Sequence, residues 1–239
     1  MARLQVPSRA QAPGAETTTL DVVVDLSHHN GDVDLETARA DGILGIIHKA
    51  TQGAVFVDPL IAENRSRARA AGLCWGAYHV GTGGDGVAQA MHFLETAQPE
   101  EHDLLALDLE RNLLGPSMAL HQARAFVTHV RETTGRWPGV YGGHYLRAVL
   151  GDQPDPVLGQ CWFWLAQYGV IPLVPPTWRA WTLWQYTDGV HGPEPRPVKG
   201  IGRCDRDRFH GDRAALSVFW GGPAERSIAS ALPSERGRS

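Results

Sequence analysis

Leu104-Leu-Ala-Leu-Asp-Leu-Glu110 is an apolar run that ends in two carboxylates spaced two positions apart. It is too short to cross a membrane and reads as a buried strand. Side chains on a strand point alternately to opposite faces, so Asp108 and Glu110 share one face while Leu107 and Leu109 pack into the other. Same-face neighbours lie about 7 Å apart. Like charges that close raise one pKa, so one carboxyl holds its proton while its neighbour is an anion, the combination that cleavage of a glycosidic bond requires. The same residues also fit a plain polar strand end with Glu110 solvated or paired with Arg111. The rest of the chain has to decide between the two.

Working outward, residues 20–26 are rich in β-branched side chains and predict a first strand, with Asp25 near its C-terminal end and the turn-forming Ser27-His-His-Asn-Gly31 after it. Asp34 caps a short helix ending near Gly42, and residues 43–48 form a second strand. Asp58 and Pro59 supply the N-cap and first residue of a helix that runs to Ala71, before Gly72 and a third strand at 73–80. After the Gly-rich loop 81–86, Val87, Met91, Leu94 and Ala90, Phe93, Ala97 recur at helical spacing. Downstream of Glu110, Pro116 and Ser117 open a long helix closed by Gly135. Strands follow at 139–142, 161–166, 180–186 and 201–205, separated by Pro-rich loops with little helix, and residues 209–220 form a last docking helix. Alternating strands and helices imply a parallel sheet with right-handed crossovers, and about eight strands allow closure. The expected fold is α/β, an irregular (β/α) barrel of about eight mainly parallel strands with helices depleted in the second half.

A chain of 239 residues with 43% hydrophobic content suits one sizeable domain, placed at 20–220 between flexible segments 1–19 and 221–239. A net charge of −4 without a Lys/Arg block excludes a nucleic-acid footprint. Eight Trp and five Tyr, concentrated after position 136, fit either a thick core or a sugar-stacking cleft. Cys74, Cys161 and Cys204 are odd in number and lack CxxC spacing, which points to free buried thiols. Residues 1–19 contain no apolar core of a secretory signal, and no stretch is long enough for a membrane span. The expectation is a protein that acts where it is made or leaves by a route outside this sequence, such as release by lysis.

Loops at the C-terminal ends of barrel strands make the active site, so polar residues there converge from distant parts of the chain. Asp25, Asp108, Glu110 and Asp205 all occupy such positions. Any one of them also fits a loop cap, but matched strand ends favour a common site. His79, in Gly76-Ala-Tyr-His79, holds the equivalent place after the third strand, and reads as either a site residue or a hydrogen-bonded core histidine.

Asp25-Leu-Ser-His-His-Asn-Gly31, His48-Lys-Ala-Thr-Gln-Gly53, Gly76-Ala-Tyr-His79, Leu107-Asp-Leu-Glu110, Trp164-Leu-Ala-Gln-Tyr168, Trp184-Gln-Tyr186 and Asp205-Arg-Asp-Arg-Phe209 occur in this order. Together they resemble the lysozymes of glycoside hydrolase family 25, the Chalaropsis-type muramidases, over roughly residues 20–212. The resemblance implies an irregular barrel whose groove cleaves the β-1,4 bond between N-acetylmuramic acid and N-acetylglucosamine in peptidoglycan. It implies Glu110 as general acid, Asp108 as the carboxylate assisting the substrate N-acetyl group, and Asp25 and Asp205 as flanking acids. Those flanking charges are expected to raise the Glu110 pKa. Tyr78, His79, Tyr141, Trp164, Tyr168, Trp184 and Gln185 match substrate-binding positions. Asp207 stands where the family usually has Asn, and Gln52 where Glu is common. Arg206 and Arg208 beside Asp205 are expected to lower its pKa or redirect it.

No metal or cofactor is called for, and the expected partner is the glycan strand of peptidoglycan, bound by a monomer. Two other readings stay open. A metal-dependent deacetylase or amidase would use Asp25, His28, His29 and His79, although no His-x-His or His-x-x-x-His pair is present. A glycan-binding module without turnover is the other.

Overall fold

The computed structural model describes residues 18–221. The flexible termini expected at 1–19 and 221–239 fall outside the described residues except at their inner edges, and Thr19 already belongs to a strand. In chain order the strands are β1 (Thr19–Leu26), β2 (Gly45–Gln52), β3 (Phe56–Val57), β4 (Cys74–Val80), β5 (Leu104–Asp108), β6 (Gly139–Gly142), β7 (Trp162–Ala166), β8 (Leu183–Thr187), β9 (Pro197–Val198), β10 (Gly202–Arg203) and β11 (Asp205–His210). The helices are α1 (Leu35–Ala40), α2 (Ile61–Ala70), α3 (Gly86–Ala97), α4 (Leu120–Thr134), α5 (His144–Leu150) and α6 (Arg213–Phe219).

Eight of these strands close into a barrel in the order β1, β2, β4, β5, β6, β7, β8, β11. Pairing is parallel from β1 through β8, whereas β11 runs antiparallel to both β8 and β1 and completes the ring. β3 folds back on the end of β2, and β9 with β10 makes a separate two-stranded ribbon. The expected barrel is therefore the observed one, with five helices following the first strands and none between β8 and β11.

The pleat sorts each strand into an outer and an inner row. Leu105, Leu107 and Leu109 pack outward with Phe93, Phe126 and Val127 of the helical layer. Leu104 and Ala106 face the barrel interior with Val23, Ile47 and Leu183. Each large apolar side chain buried in this way contributes about 1.5–3 kcal/mol. The N-terminal mouth of the barrel is stoppered by α6. Trp220, just after it, donates from Nε1 to the Trp75 carbonyl at 2.9 Å, and Phe219 meets Trp162 edge-on at 5.2 Å.

Several expected boundaries move. Asp58 does not cap α2: its Oδ1 accepts from Leu60 N, its Oδ2 is taken by His28, and the helix starts at Ile61. The helix expected from Pro116 begins at Leu120, because Ser117 is held in a bridge with Thr82 and Gln122 reaches back to Ala119 N. The strand expected at 201–205 divides into the two-residue β10 and the longer β11, which starts at Asp205 and runs to His210, so the last helix shortens to Arg213–Phe219. α5 escaped the sequence reading, since a seven-residue helix shows too little periodicity. Cys161 and Cys204 are buried and Cys74 is partly buried, all as free thiols.

Gly86 permits the contact between α3 and α4. A Cβ there would lie 2.1 Å from the carbonyl oxygen of Gln122, a backbone atom that cannot swing aside. Gly86→Ala is expected to cost about 1–3 kcal/mol by overpacking, measured as a lowered midpoint of denaturant unfolding with an unchanged far-UV spectrum.

Candidate active site

At the C-terminal rim the inner row turns from apolar to acidic. Asp25 ends the inner row of β1, and Asp108 is the last residue of β5. Glu110 lies two residues beyond β5 on the same face, with the Leu109 amide still bonded to the Tyr141 carbonyl at 2.9 Å. Asp205 reaches this rim differently from the sequence expectation: it opens an antiparallel strand, and its Cα pairs with that of Asp25. A strand running the other way thus places its first residue beside the last residues of its neighbours.

Asp25, Asp108, Glu110 and Asp205 line one cavity of about 240 Å³, together with Tyr78, Tyr141, Trp164, Tyr168 and Gln185. Hollows of about 300 and 430 Å³ lie beside Trp220 at the opposite end; Asp103, which lines both, is paired with Arg65, and Glu100, which lines the second, with Arg69.

Polar contacts organise the cavity. Gln185 donates from Nε2 to Asp25 Oδ2 at 2.8 Å and accepts on Oε1 from the hydroxyls of Tyr141 (2.9 Å) and Tyr168 (3.2 Å). The Trp164 indole stands edge-on to Tyr141 at 4.8 Å and to Tyr78 at 6.2 Å, and it is 1% exposed, so it forms the floor rather than an open stacking platform. Tyr168, 44% exposed, is the aromatic that stands at the rim. Asp108 Oδ1 is buried and has no hydrogen-bond partner among the described residues.

Burial dominates the electrostatics. Desolvation raises Asp25 and Asp108 well above the usual carboxylate range, with neighbouring carboxylates adding to it. Asp205 is pushed up to about 9, by burial first and then by Asp25, Asp188 and Glu110. Glu110 is exposed at the cavity mouth, and the desolvating walls around it still raise its carboxyl, less than they raise Asp108. The cause is therefore burial rather than the flanking charges expected from sequence. The expected effect of the arginines is also overturned. Arg206 turns outward to Asp21 at 3.0 Å and Arg208 lies over the Tyr186 ring at 4.2 Å, because alternation sends even-numbered residues of β11 away from the cavity.

Two expected binding residues are not brought to the cavity. His79 belongs to the outer row, with Nδ1 2.7 Å from Thr51 Oγ1, Nε2 3.1 Å from Gln89 Oε1, and its ring stacked on Phe126. Burial lowers its pKa to about 4, so it is a neutral core histidine. Trp184 also faces outward, donating to the Gln167 carbonyl at 2.7 Å and meeting Trp181 edge-on. The ligand set considered for a metal-dependent enzyme is dispersed likewise: His28 is bound to Asp58 at 2.7 Å and His79 is on the far side of the sheet. Among the described residues no three His, Cys, Asp or Glu side chains are placed to hold a metal ion.

Sequence reading missed two inward residues. Lys49, two positions after the interior Ile47, is buried and bonds Gln52 at 2.7 Å; its charge opposes the upward shift of Asp108. Asp207 lies one inward position deeper than Asp205. Period-two alternation along β2 and β11 was the available signal for both.

Residues 24–194 match the family model described as Glycosyl hydrolases family 25. Lysozyme M1 of Streptomyces globisporus is 28% identical over 217 residues, covering 81% of this chain and 69% of that protein. The bacterial lysozyme from Streptomyces coelicolor superposes with a TM-score of 0.75 at 26% identity, covering 86% of this chain and 98% of that one. A family GH25 lysozyme from Aspergillus fumigatus gives 0.72 at 28% identity, over 84% and 99%.

The shifts carry a pH signature. A carboxyl raised in the folded state binds its proton longer than in the unfolded chain, so its stabilising contribution is complete at acid pH and is lost as pH rises to the folded value. His79 works oppositely, but its effect ends once the unfolded imidazole is deprotonated near 6.5. Between pH 6.5 and 9 the melting temperature is therefore expected to fall, less steeply in Asp205→Asn, as measured by calorimetry across that range.

Proposed function

On the premise that this chain belongs to glycosyl hydrolases family 25 and is a lysozyme-type peptidoglycan hydrolase, we propose that Glu110 and Asp108 perform the cleavage. The observation that carries the assignment is the unpartnered, buried Asp108 Oδ1 in the same cavity as a mouth-exposed, raised Glu110. An acceptor without a partner deep in the cleft suits the N–H of an N-acetyl group. A carboxylic acid at the mouth suits the oxygen between two sugars.

The bond cleaved is the β-1,4 link from N-acetylmuramic acid to N-acetylglucosamine, on glycan strands of the wall. Glu110 gives its proton to the glycosidic oxygen as the C1–O4 bond breaks. The acetamido carbonyl oxygen of the same muramic residue bonds to C1, forming an oxazolinium ring whose N–H is held by Asp108. Water then attacks C1 from the side the leaving group vacated and returns a proton to Glu110. The ring reopens to the acetamide, with net retention. Asp25 and Asp205 line the cavity around a centre that becomes cationic, toward which their carboxyl oxygens present partial negative charge that favours the transition state. Tyr78, Tyr141, Tyr168, Trp164 and Gln185 hold the sugar and shape the floor.

Glu110→Gln keeps the side chain's size and removes the transferable proton, so turnover of purified peptidoglycan is expected to drop more than about a hundredfold with the fold intact. Wild-type digestion should leave N-acetylmuramic acid at the new reducing ends. Near-normal turnover in the Gln variant would move the acid elsewhere, and absence of turnover in the wild-type protein would leave only a glycan-binding module.

Asp108→Asn is expected to lose activity by a similar factor, about a hundredfold, and a thiazoline analogue of the cyclised N-acetyl group should inhibit the wild-type protein. The β-anomer should appear first by NMR. A sugar ester trapped on Asp108, or initial release of the α-anomer, would reject substrate participation while leaving the bond cleaved unchanged.

A further inference from the structure

Asp207 is fully buried, one inward position below Asp205, with its Cα in register with Val23 of β1 and Gln185 of β8. Its Oδ1 accepts from Trp164 Nε1 at 2.6 Å. Its Oδ2 is buried with no donor among the described residues, and the Asp25 carboxyl, inward on the adjoining strand β1, lies within hydrogen-bonding reach of the Asp207 carboxyl. Two carboxylates cannot bond to each other without a proton between them. Two bare anions in contact, with no water to screen them, would also repel strongly.

We propose that Asp207 is a positioning residue of the cleft, sharing one proton with Asp25 and pinning the Trp164 indole with its other oxygen. The pair then carries a single negative charge. One end of the unit fixes the carboxylate of Asp25 at the cavity wall, and the other fixes the floor beneath the sugar. The surrounding charges fit this state. From β1, Asp21 is neutralised by Arg206; Asp205 of β11 and Glu110 beyond β5 disfavour a second negative charge on the pair; from β8 and β7 the neighbours Gln185 and Trp164 are neutral. Among the described residues no cation faces the pair closely enough to take the proton's place, since Arg206 and Arg208 point outward and Lys49 lies toward Asp108. Burial and the adjacent acids hold both carboxyls well above the usual range, which keeps the shared proton in place at neutral pH.

The catalytic part of the inference rests on the proposed function, whereas the shared proton does not. The test therefore combines Asp207→Asn with Asp207→Leu. Asn keeps an acceptor for Trp164 and offers Asp25 an N–H in place of the proton. It should retain kcat on peptidoglycan within about threefold, while Leu, which supplies neither bond, should lose tenfold or more, on the order of what a small misplacement of a reacting group costs. Thermal unfolding supplies the readout independent of activity. The native pair binds a proton that the unfolded chain releases, so wild-type stability falls as pH rises from about 4, and the Asn variant lacks that component. The melting-temperature difference, Asn minus wild type, should grow between pH 4 and 9. A difference that stays constant across that range would overturn the shared proton, and full kcat in the Leu variant would overturn positioning. If the Leu variant does not fold, the pH dependence of the Asn variant alone decides. Loss of turnover in the wild-type protein would sink the proposed function but leave the proton test intact.

Discussion

The reversed strand β11, inserted between β8 and β1, is the constraint on which the rest of the structure depends. It removes both edges of what would otherwise be an open sheet, and closure leaves no unpaired backbone row to cover. Because it runs opposite to its neighbours, its beginning rather than its end lies at the rim. That reversal sets Asp205 directly beside Asp25 and Asp207 one inward position deeper, opposite Val23. A parallel last strand would have carried these residues toward the stoppered end.

Closure also determines the electrostatics. With α6 and Trp220 filling one mouth, the interior below the rim is apolar, and the inward acids lose hydration without gaining a matched set of cations. Lys49 offsets part of the charge near Asp108, but the arginines of β11 are spent on Asp21 and on the Tyr186 face. Raised carboxyls are the result. A buried ionised acid destabilises the fold, and the surrounding core has to outweigh that cost. What results is a group of acids raised above the usual carboxylate range around one polar cavity of about 240 Å³.

The aromatic residues divide along the same sheet. Trp162 and Trp164 face the interior, the second as the floor of the cavity, whereas Phe163 stacks on Trp178 at 4.3 Å in the outer layer. Adjacent residues of β7 thus serve the site and the core respectively. Trp184 and His79 fall on the outer side by the same rule, each with its polar atoms satisfied by local partners. Membership of a motif near the cleft does not make a side chain part of it; the phase of the strand decides.

The amino-acid sequence by itself determined the alternation of strands and helices, the barrel with its helix-poor second half, and the family, because hydrophobic periodicity and ordered short motifs are local properties. It also determined that Asp108 and Glu110 share one face, since a two-residue spacing on one strand is read without knowing the partner strands. The direction of β11 was not legible, as a strand carries the same pattern whichever way it runs. With the strand expected to end at Asp205, the outward turn of Arg206 and Arg208 went unread although alternation carried it, and the approach of Asp207 to Asp25 depended on how β11 pairs with β1. The faces of His79 and Trp184 depended on which side of each strand meets the helical layer, and the source of the raised carboxyls on how deep they lie. Burial and pairing are sums over residues far apart in the chain, and only the closed tertiary structure brings those residues together.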